Sequence, residues 1–375
     1  MAFRQAGRLR SAVPNSHQRV EAAIAAFAKG EIVVVTDDDD RENEGDLFVA
    51  ASLCTPEKMA FIIRNTSGIV CAPLAAEQAR RLHLDPMVAK NDAPLGTAFT
   101  VTVDAKHGLT TGISAEERCN TVRALANGNM GASDFVRPGH VFPLVGREGG
   151  VLMRSGHTEA CIDLCRLARL EPVGVLSELM NDDGTVMRGP QVAAFADKYK
   201  LHQFSIAELI AYRQSRDKLV ERVGEFQSAS EVGPLRGYAY VTPFDQVQHF
   251  AFVYGDIDDG RNVLARLHRA DVIGDVFGGA RTIRASLARF KREGRGVIVY
   301  LRDGAAGVPV AEIPHEGDSG TEAARSRQWR EVGLGAQILK DLGVTSIRLL
   351  TSSQRTYVGL AGFGIEIAAT EAIEN

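Results

Sequence analysis

The chain has 375 residues, with 43 Lys and Arg against 47 Asp and Glu and a formal net charge of −4. That near balance removes any general electrostatic argument for nucleic acid or an anionic membrane as partner and leaves a small molecule as the expected one. No apolar run approaches the roughly 20 residues of a spanning helix, and the five cysteines, all before residue 170, fit a reducing compartment, so a cytoplasmic location is expected.

The length allows two domains of ordinary size. The first twenty residues carry Arg4, Arg8, Arg10 and Arg19 and no acid, a composition shared with organellar transit peptides; the shortness of the stretch favours a disordered leader over residues 1–16. Val20, Ala23, Ile24 and Phe27 recur at helical spacing, Gly30 supplies a stop, and Ile32 to Val35 make a short buried strand. A run of carboxylates then begins where that strand ends, the usual place for binding loops in an α/β sheet. Thr97 to Asp104 alternates with period two and predicts a strand of a mixed sheet. Thr158 is the expected N-cap of a helix over Glu159 to Leu170. Residues 205–223 are charged and helical in pattern and read as the end of one domain and a connector. From Glu225 the pattern restarts, with short strands at Gly237–Thr242, His249–Tyr254, Gly296–Tyr300 and Ile347–Leu350.

Two loops carry chemistry. In Asp37-Asp38-Asp39-Asp40-Arg41-Glu42-Asn43-Glu44-Gly45-Asp46 the carboxylates repel one another unless solvated, paired or holding a cation. A solvated surface loop is the ordinary explanation from composition alone. Glu42 and Asp46, four apart, with His157, His140 or Glu178, would suit a hard divalent ion such as Mg²⁺ or Mn²⁺; no Cys-x-x-Cys occurs, and zinc is not expected. Arg41 inside the run is a partner for a phosphate or carboxylate. Arg154-Ser155-Gly156-His157-Thr158, directly before a helix, offers an Arg, backbone N–H groups and a hydroxyl at a positive helix end. The residues by themselves reach a metal-assisted enzyme acting on a small phosphorylated substrate.

Asp40 to Asp46, Thr111-Gly112-Ile113-Ser114-Ala115, Arg137-Pro138-Gly139-His140-Val141-Phe142-Pro143-Leu144 and Arg154 to Ala160 resemble, in order and spacing, the motif set of 3,4-dihydroxy-2-butanone 4-phosphate synthase. The resemblance covers residues 17–212. It implies an α/β domain with a mixed sheet and a homodimer with sites at or near the subunit interface. The implied reaction is Mg²⁺-dependent conversion of ribulose 5-phosphate to the four-carbon phosphate and formate in riboflavin biosynthesis. It also implies two ions per site (Mg²⁺ or Mn²⁺), with Glu42 and His157 as metal ligands and His140 and Glu178 essential for proton transfer. Arg41, Glu42, Asp46, Arg154, Ser155, Gly156, His157, Thr158 and Glu178 are the implied substrate contacts, and Cys71 would line the pocket or fill the core.

After a linker at 213–224, residues 225–375 resemble GTP cyclohydrolase II, a second α/β domain. Gly274-Asp275-Val276-Phe277-Gly278 and Gly335-Ala336-Gln337-Ile338-Leu339 keep that family's framework. Its three zinc cysteines fall on Asp271, Thr282 and Arg284, and no cysteine follows residue 170. Gly304, Ala306, Gln328 and Thr356 stand where groups that position and process GTP are expected. The expectation is a domain without GTP hydrolysis, serving as a scaffold. The alternatives are a bifunctional enzyme or a nucleotide- or flavin-binding regulatory module.

Overall fold

The computed structural model describes residues 15–37, 43–93, 95–243, 245–271, 273–302, 333–351 and 365–373. The seven strands of the first domain are β1 (Val33–Thr36), β2 (Gly45–Ala50), β3 (Cys71–Ala75), β4 (Val103–Ala105), β5 (Phe135–Gly146), β6 (Gly174–Glu178) and β7 (His202–Ser205). They form one mixed sheet in the order β4-β5-β3-β6-β2-β1-β7, in which β3/β5 and β1/β7 run parallel. Helices α1 (Ser16–Ala28), α5 (His157–Leu167) and α7 (Ile206–Arg216) cover one face. On the other lie α2 (Pro56–Asn65), α4 (Ala115–Ala126) and α6 (Pro190–Tyr199), and α3 (Ala76–Arg81) completes the set.

The two faces follow from the pleat. Val33, Phe48, Leu176, Cys71 and Phe142 are register partners and point to the α5 side, whereas Val34, Leu47, Val49 and Val175 point to the α2 side. Nearly all are fully buried, as expected for strands covered on both faces. α1 opens on a capping box in which the Asn15 side chain accepts from Gln18 N at 2.8 Å and Gln18 accepts from Asn15 N at 2.9 Å.

Three sequence expectations shift. The alternating run 97–104 is a strand only at Val103–Ala105, because its backbone changes partners: Val145 N donates to Ala98 O, Thr100 N to Pro143 O and Val101 N to Asp85 O, so no single ladder forms. α5 starts earlier than expected, with Gly156 as N-cap and Thr158 inside the first turn; it stops at Leu167, since Arg169 takes φ +59° and Leu170 N returns to Cys165 O. The helical reading of 205–223 holds only to Arg216; Asp217 is extended and β8 begins at Glu221.

The second domain is another seven-stranded mixed sheet. Its strands are β8 (Glu221–Ser230), β9 (Gly233–Thr242), β10 (Asp245–Tyr254), β11 (Val263–Arg269), β12 (Gly296–Leu301), β13 (Ser346–Thr351) and β14 (Glu366–Ala372), ordered β14-β13-β11-β12-β10-β9-β8. Helices α8 (Arg281–Glu293) and α9 (333–341) accompany it. The expected pair of α/β domains is therefore present. The connector between them is fastened at two points: Gln337 accepts from Leu219 N at 2.6 Å and donates to Asp217 O at 2.6 Å, and the buried Leu219 and Val220 belong to an apolar cluster with residues of both sheets.

Candidate active site

The acidic loop is closed at its base by Asp37, whose carboxylate accepts from Glu44 N at 3.0 Å and whose N donates to Glu44 O at 3.3 Å. Arg41 and Glu42, two of the sequence-assigned contacts, lie outside the described residues. Beyond the loop, β2 carries Asp46 into the sheet directly opposite Glu178 of β6. On the same face, two residues from Leu176 and Phe142 respectively, come Glu178 and His140, with Cys71 between their strands. Burial and the carboxylates of Glu178 and Asp46 push the Cys71 thiol up, so it stays protonated at neutral pH. Ser67 Oγ donates to Glu178 Oε2 at 2.7 Å, and Ser67 N donates to the Glu178 carbonyl at 2.8 Å.

Above this face stands the first turn of α5. Its buried His157 meets Phe48 edge-on at 6.0 Å, and its Nδ1 lies 4.0 Å from Asp46 Oδ2. One ligand atom each from Glu44, Asp46 and His157 lies within 4.8 Å of the others; among the described residues no other such trio converges. Two carboxylates and an imidazole form a donor set suited to a hard divalent cation. Of the expected ligands, His157 is therefore in this cluster and Asp46, assigned to substrate, lies with it. Glu44 was missed, although Glu42, Glu44 and Asp46 recur at period two, the spacing that aligns side chains in extended chain.

Arg154 is buried, and its guanidinium is committed within the protein: Nη1 to Glu159 Oε2 at 2.7 Å and Nη2 to Leu95 O at 3.1 Å. Glu159 Oε1 also accepts from Arg147 N at 3.0 Å. One carboxylate thus ties both ends of the loop entering α5, and the loop brings Ser155, Gly156 and Thr158 to the N-terminal end of that helix, where backbone N–H groups and the helix dipole favour an anion.

His140 has a partner that sequence reasoning missed. Asp104, almost fully buried, accepts from His140 N at 2.9 Å and faces His140 Nδ1 at 2.7 Å. With a carboxylate as acceptor, Nδ1 carries the proton and Nε2 is left to exchange one. Asp104 closes the alternating run of the sequence, but nothing in that run shows its partner, which is 36 residues away. The Thr111–Ala115 motif is explained by the same pair: Gly112, at φ +83°, presses on Asp104 and His140 so closely that any Cβ would collide with both.

Glu117, one turn into α4, holds that loop from the other side. Its carboxylate accepts from Thr110 N at 2.7 Å, Thr110 Oγ1 at 2.8 Å and Ser114 Oγ at 2.8 Å. These donors hold Glu117 well below the usual carboxylate range. A depressed carboxyl contributes stability that is present above its unfolded pKa and lost as pH falls through its folded value. The protection of the Thr110–Ser114 amides, measured against their intrinsic exchange rates, should therefore hold at neutral pH and be lost only on strong acidification, and in Glu117→Gln it should be reduced already at pH 7. Equal exchange in the two proteins at pH 7 would discard this account.

A mixed-sheet α/β domain with a candidate divalent-ion centre beside an anion-suited helix start defines a metal-site α/β enzyme. The family model for 3,4-dihydroxy-2-butanone 4-phosphate synthase matches residues 21–212, and that for GTP cyclohydrolase II matches 221–373. The riboflavin biosynthesis protein RibBA of Salinispora arenicola is 46% identical over 366 residues, spanning 93% of this chain and 87% of that one. The crystal structure of RibBX, a two-domain 3,4-dihydroxy-2-butanone 4-phosphate synthase from A. baumannii, superposes with TM-score 0.78 at 35% identity, covering 95% and 99% of the two chains. A 3,4-dihydroxy-2-butanone 4-phosphate synthase in complex with two magnesium ions matches at TM-score 0.52 and 45% identity, covering 52% of this chain and 97% of that one. The chain belongs to the 3,4-dihydroxy-2-butanone 4-phosphate synthase family and is an enzyme of riboflavin biosynthesis.

Proposed function

We propose that this chain converts D-ribulose 5-phosphate to 3,4-dihydroxy-2-butanone 4-phosphate and formate with Mg²⁺, two ions per site, Mn²⁺ serving as a substitute. The observation that carries this reading is the convergence of Glu44, Asp46 and His157 at the start of α5, inside the segment matched by the synthase family. Glu42 and His157 would hold the ions, with Glu44 and Asp46 adding their carboxylates to the same donor set. Bound Mg²⁺ supplies Lewis acidity toward the substrate carbonyl and hydroxyl oxygens.

The remaining roles belong to side chains. Arg41 contacts the sugar. The phosphate sits on the N–H groups at the start of α5 with Ser155, Gly156 and Thr158, while Arg154, bonded to Glu159, keeps that loop closed. His140 takes and returns protons at Nε2, its ring fixed through Nδ1 by Asp104. Glu178 exchanges protons at its free oxygen while Ser67 holds Oε2. Ile69 and Ile113, beside Ser67 and Gly112, expose 49% and 52% of their surface, which supports a homodimer that brings a second copy against the site. No described helix is long and apolar enough to cross a membrane. The reading places the enzyme in the cytoplasm, acting on a small molecule without nucleic acid or membrane partners, in keeping with the near balance of 43 basic and 47 acidic residues.

Residues 17–212 form the synthase domain, and the domain after the linker does not hydrolyse GTP. At the positions expected for zinc thiolates, Asp271 accepts from Gly274 N at 3.1 Å, Thr282 lies in the first turn of α8 with its carbonyl accepting from Ser286 Oγ at 2.7 Å, and Arg284 pairs with Glu231 at 2.7 Å. The stretch around Gly304 and Ala306, with Gln328 and Thr356, lies outside the described residues. The test is formate release from ribulose 5-phosphate, expected with Mg²⁺ and abolished by excess EDTA, run beside GTP and beside zinc analysis of chelator-free protein. Undiminished turnover in EDTA would refute the metal assignment; about one zinc per chain with steady formate release from GTP would make the protein bifunctional.

A further inference from the structure

Asp163 of α5, one turn beyond Glu159, is buried and holds the middle of the same loop. It accepts from Val151 N at 2.8 Å, and Gly150, at φ +63°, lies so close that a Cβ would strike its carboxylate. Glu159 and Asp163 thus fasten the Arg147–Gly156 segment to α5 at Arg147, Val151 and Arg154. A buried carboxylate needs a charge partner to be tolerated. Arg213, on α7, supplies it. Its Nη1 donates to Asp163 Oδ2 at 2.6 Å and to Gly149 O at 2.9 Å, while Nε and Nη2 hold Asp217 Oδ2 at 2.8 and 2.6 Å. Arg213 therefore grips both the acid that anchors the loop and the loop backbone itself, two residues before Val151. It lies one position beyond the segment matched by the synthase family model, which ends at 212.

We propose that Arg213 is a positioning residue for phosphate binding, fixing through Asp163 and Gly149 the path of the loop that delivers Ser155, Gly156 and the first turn of α5. This rests on the assignment of the substrate phosphate to that turn. Only a planar fork can satisfy Asp163, Gly149 O and Asp217 together; an ammonium keeps the charge pair and drops at least one of the other bonds.

The test uses the full chain, with formate release from ribulose 5-phosphate and competitive inhibition by inorganic phosphate as readouts. Arg213→Lys should remain folded and raise KM and the phosphate inhibition constant together, each about tenfold, with kcat within about twofold of the parent. Arg213→Met alone leaves the buried Asp163 with only Arg166 Nη1 at 3.9 Å, so it is paired with Asp163→Asn; the double variant should show the same rise. Thr158→Val reports on the phosphate assignment directly. If Thr158→Val weakens phosphate binding while both Arg213 variants keep the parent's two constants, the positioning role is wrong and the phosphate assignment stands. If all three leave KM and phosphate inhibition unchanged, the phosphate assignment fails and the inference falls with it. Loss of kcat at unchanged KM in Arg213→Lys would likewise overturn it.

Discussion

His157→Ala is expected to lower formate production from ribulose 5-phosphate by about a thousandfold or more, with no recovery in excess Mg²⁺. His157 is the only nitrogen donor of the Glu44–Asp46–His157 trio, and it sits where the metal site and the helix start meet. Asp46→Asn should be as inactive for a related reason and adds a sharper signature. Without a cation, the Glu44 and Asp46 carboxylates confront each other at a site where Asp46 is buried. Like charges at this range destabilise the fold. Neutralising Asp46 should therefore raise the melting temperature in EDTA, even as it abolishes activity, the pattern of a group kept for function against stability. Added Mg²⁺ should raise the melting temperature of the parent and leave that of Asp46→Asn nearly unmoved. A parent protein whose melting curve ignores Mg²⁺ would exclude this trio as an ion site.

The second large effect is expected at Asp104. In Asp104→Asn, the amide oxygen can still accept from His140 N, which turns the NH₂ toward Nδ1. An NH₂ in that place makes Nδ1 the acceptor and puts the ring proton on Nε2, the atom proposed to take a proton from substrate. The shape of the site is preserved and the tautomer is inverted. kcat should fall about 10² to 10⁴-fold with KM nearly unchanged. His140→Gln should fall as far, and combining the two should cost little more than either alone, since both remove one function. Nitrogen NMR of the His140 ring would show the proton move from Nδ1 to Nε2. An Asp104→Asn enzyme within twofold of the parent would mean that His140 does not depend on this bond.

Local elements were more legible in the sequence than the pairings between them. The strand before the acidic loop, the glycine-bounded loop before α5 and the break between the domains were all visible as local patterns, since each depends on neighbours in sequence. What it did not carry was pairing across the sheet. Asp104 lies 36 residues from His140, and Ser67 lies 111 from Glu178; the first contact arises when β4 pairs with β5, the second when the chain ahead of β3 bridges to the end of β6 at Thr66 and Leu179. The failed strand at 97–104 has the same origin, because alternation announces two faces without saying whether one partner will stay alongside. Arg154 has a partner of the same hidden kind. A guanidinium in a phosphate-like loop suggested a direct contact, and the buried Glu159 that engages it was legible only as part of a helix.

The junction made by Gln337 bears on how such a chain can change over generations. Its side chain answers three backbone groups of the connector, Gln214 O, Asp217 O and Leu219 N, and the apolar cluster runs on from Leu219 and Val220 into the second sheet. A stop codon placed at the connector would bare that cluster and leave the end of α7, with Arg213 on it, frayed. A lineage that no longer needed the chemistry of its second half would therefore be selected to keep the half itself. Its catalytic loops could drift, while the strands and the one glutamine that face the first domain could not.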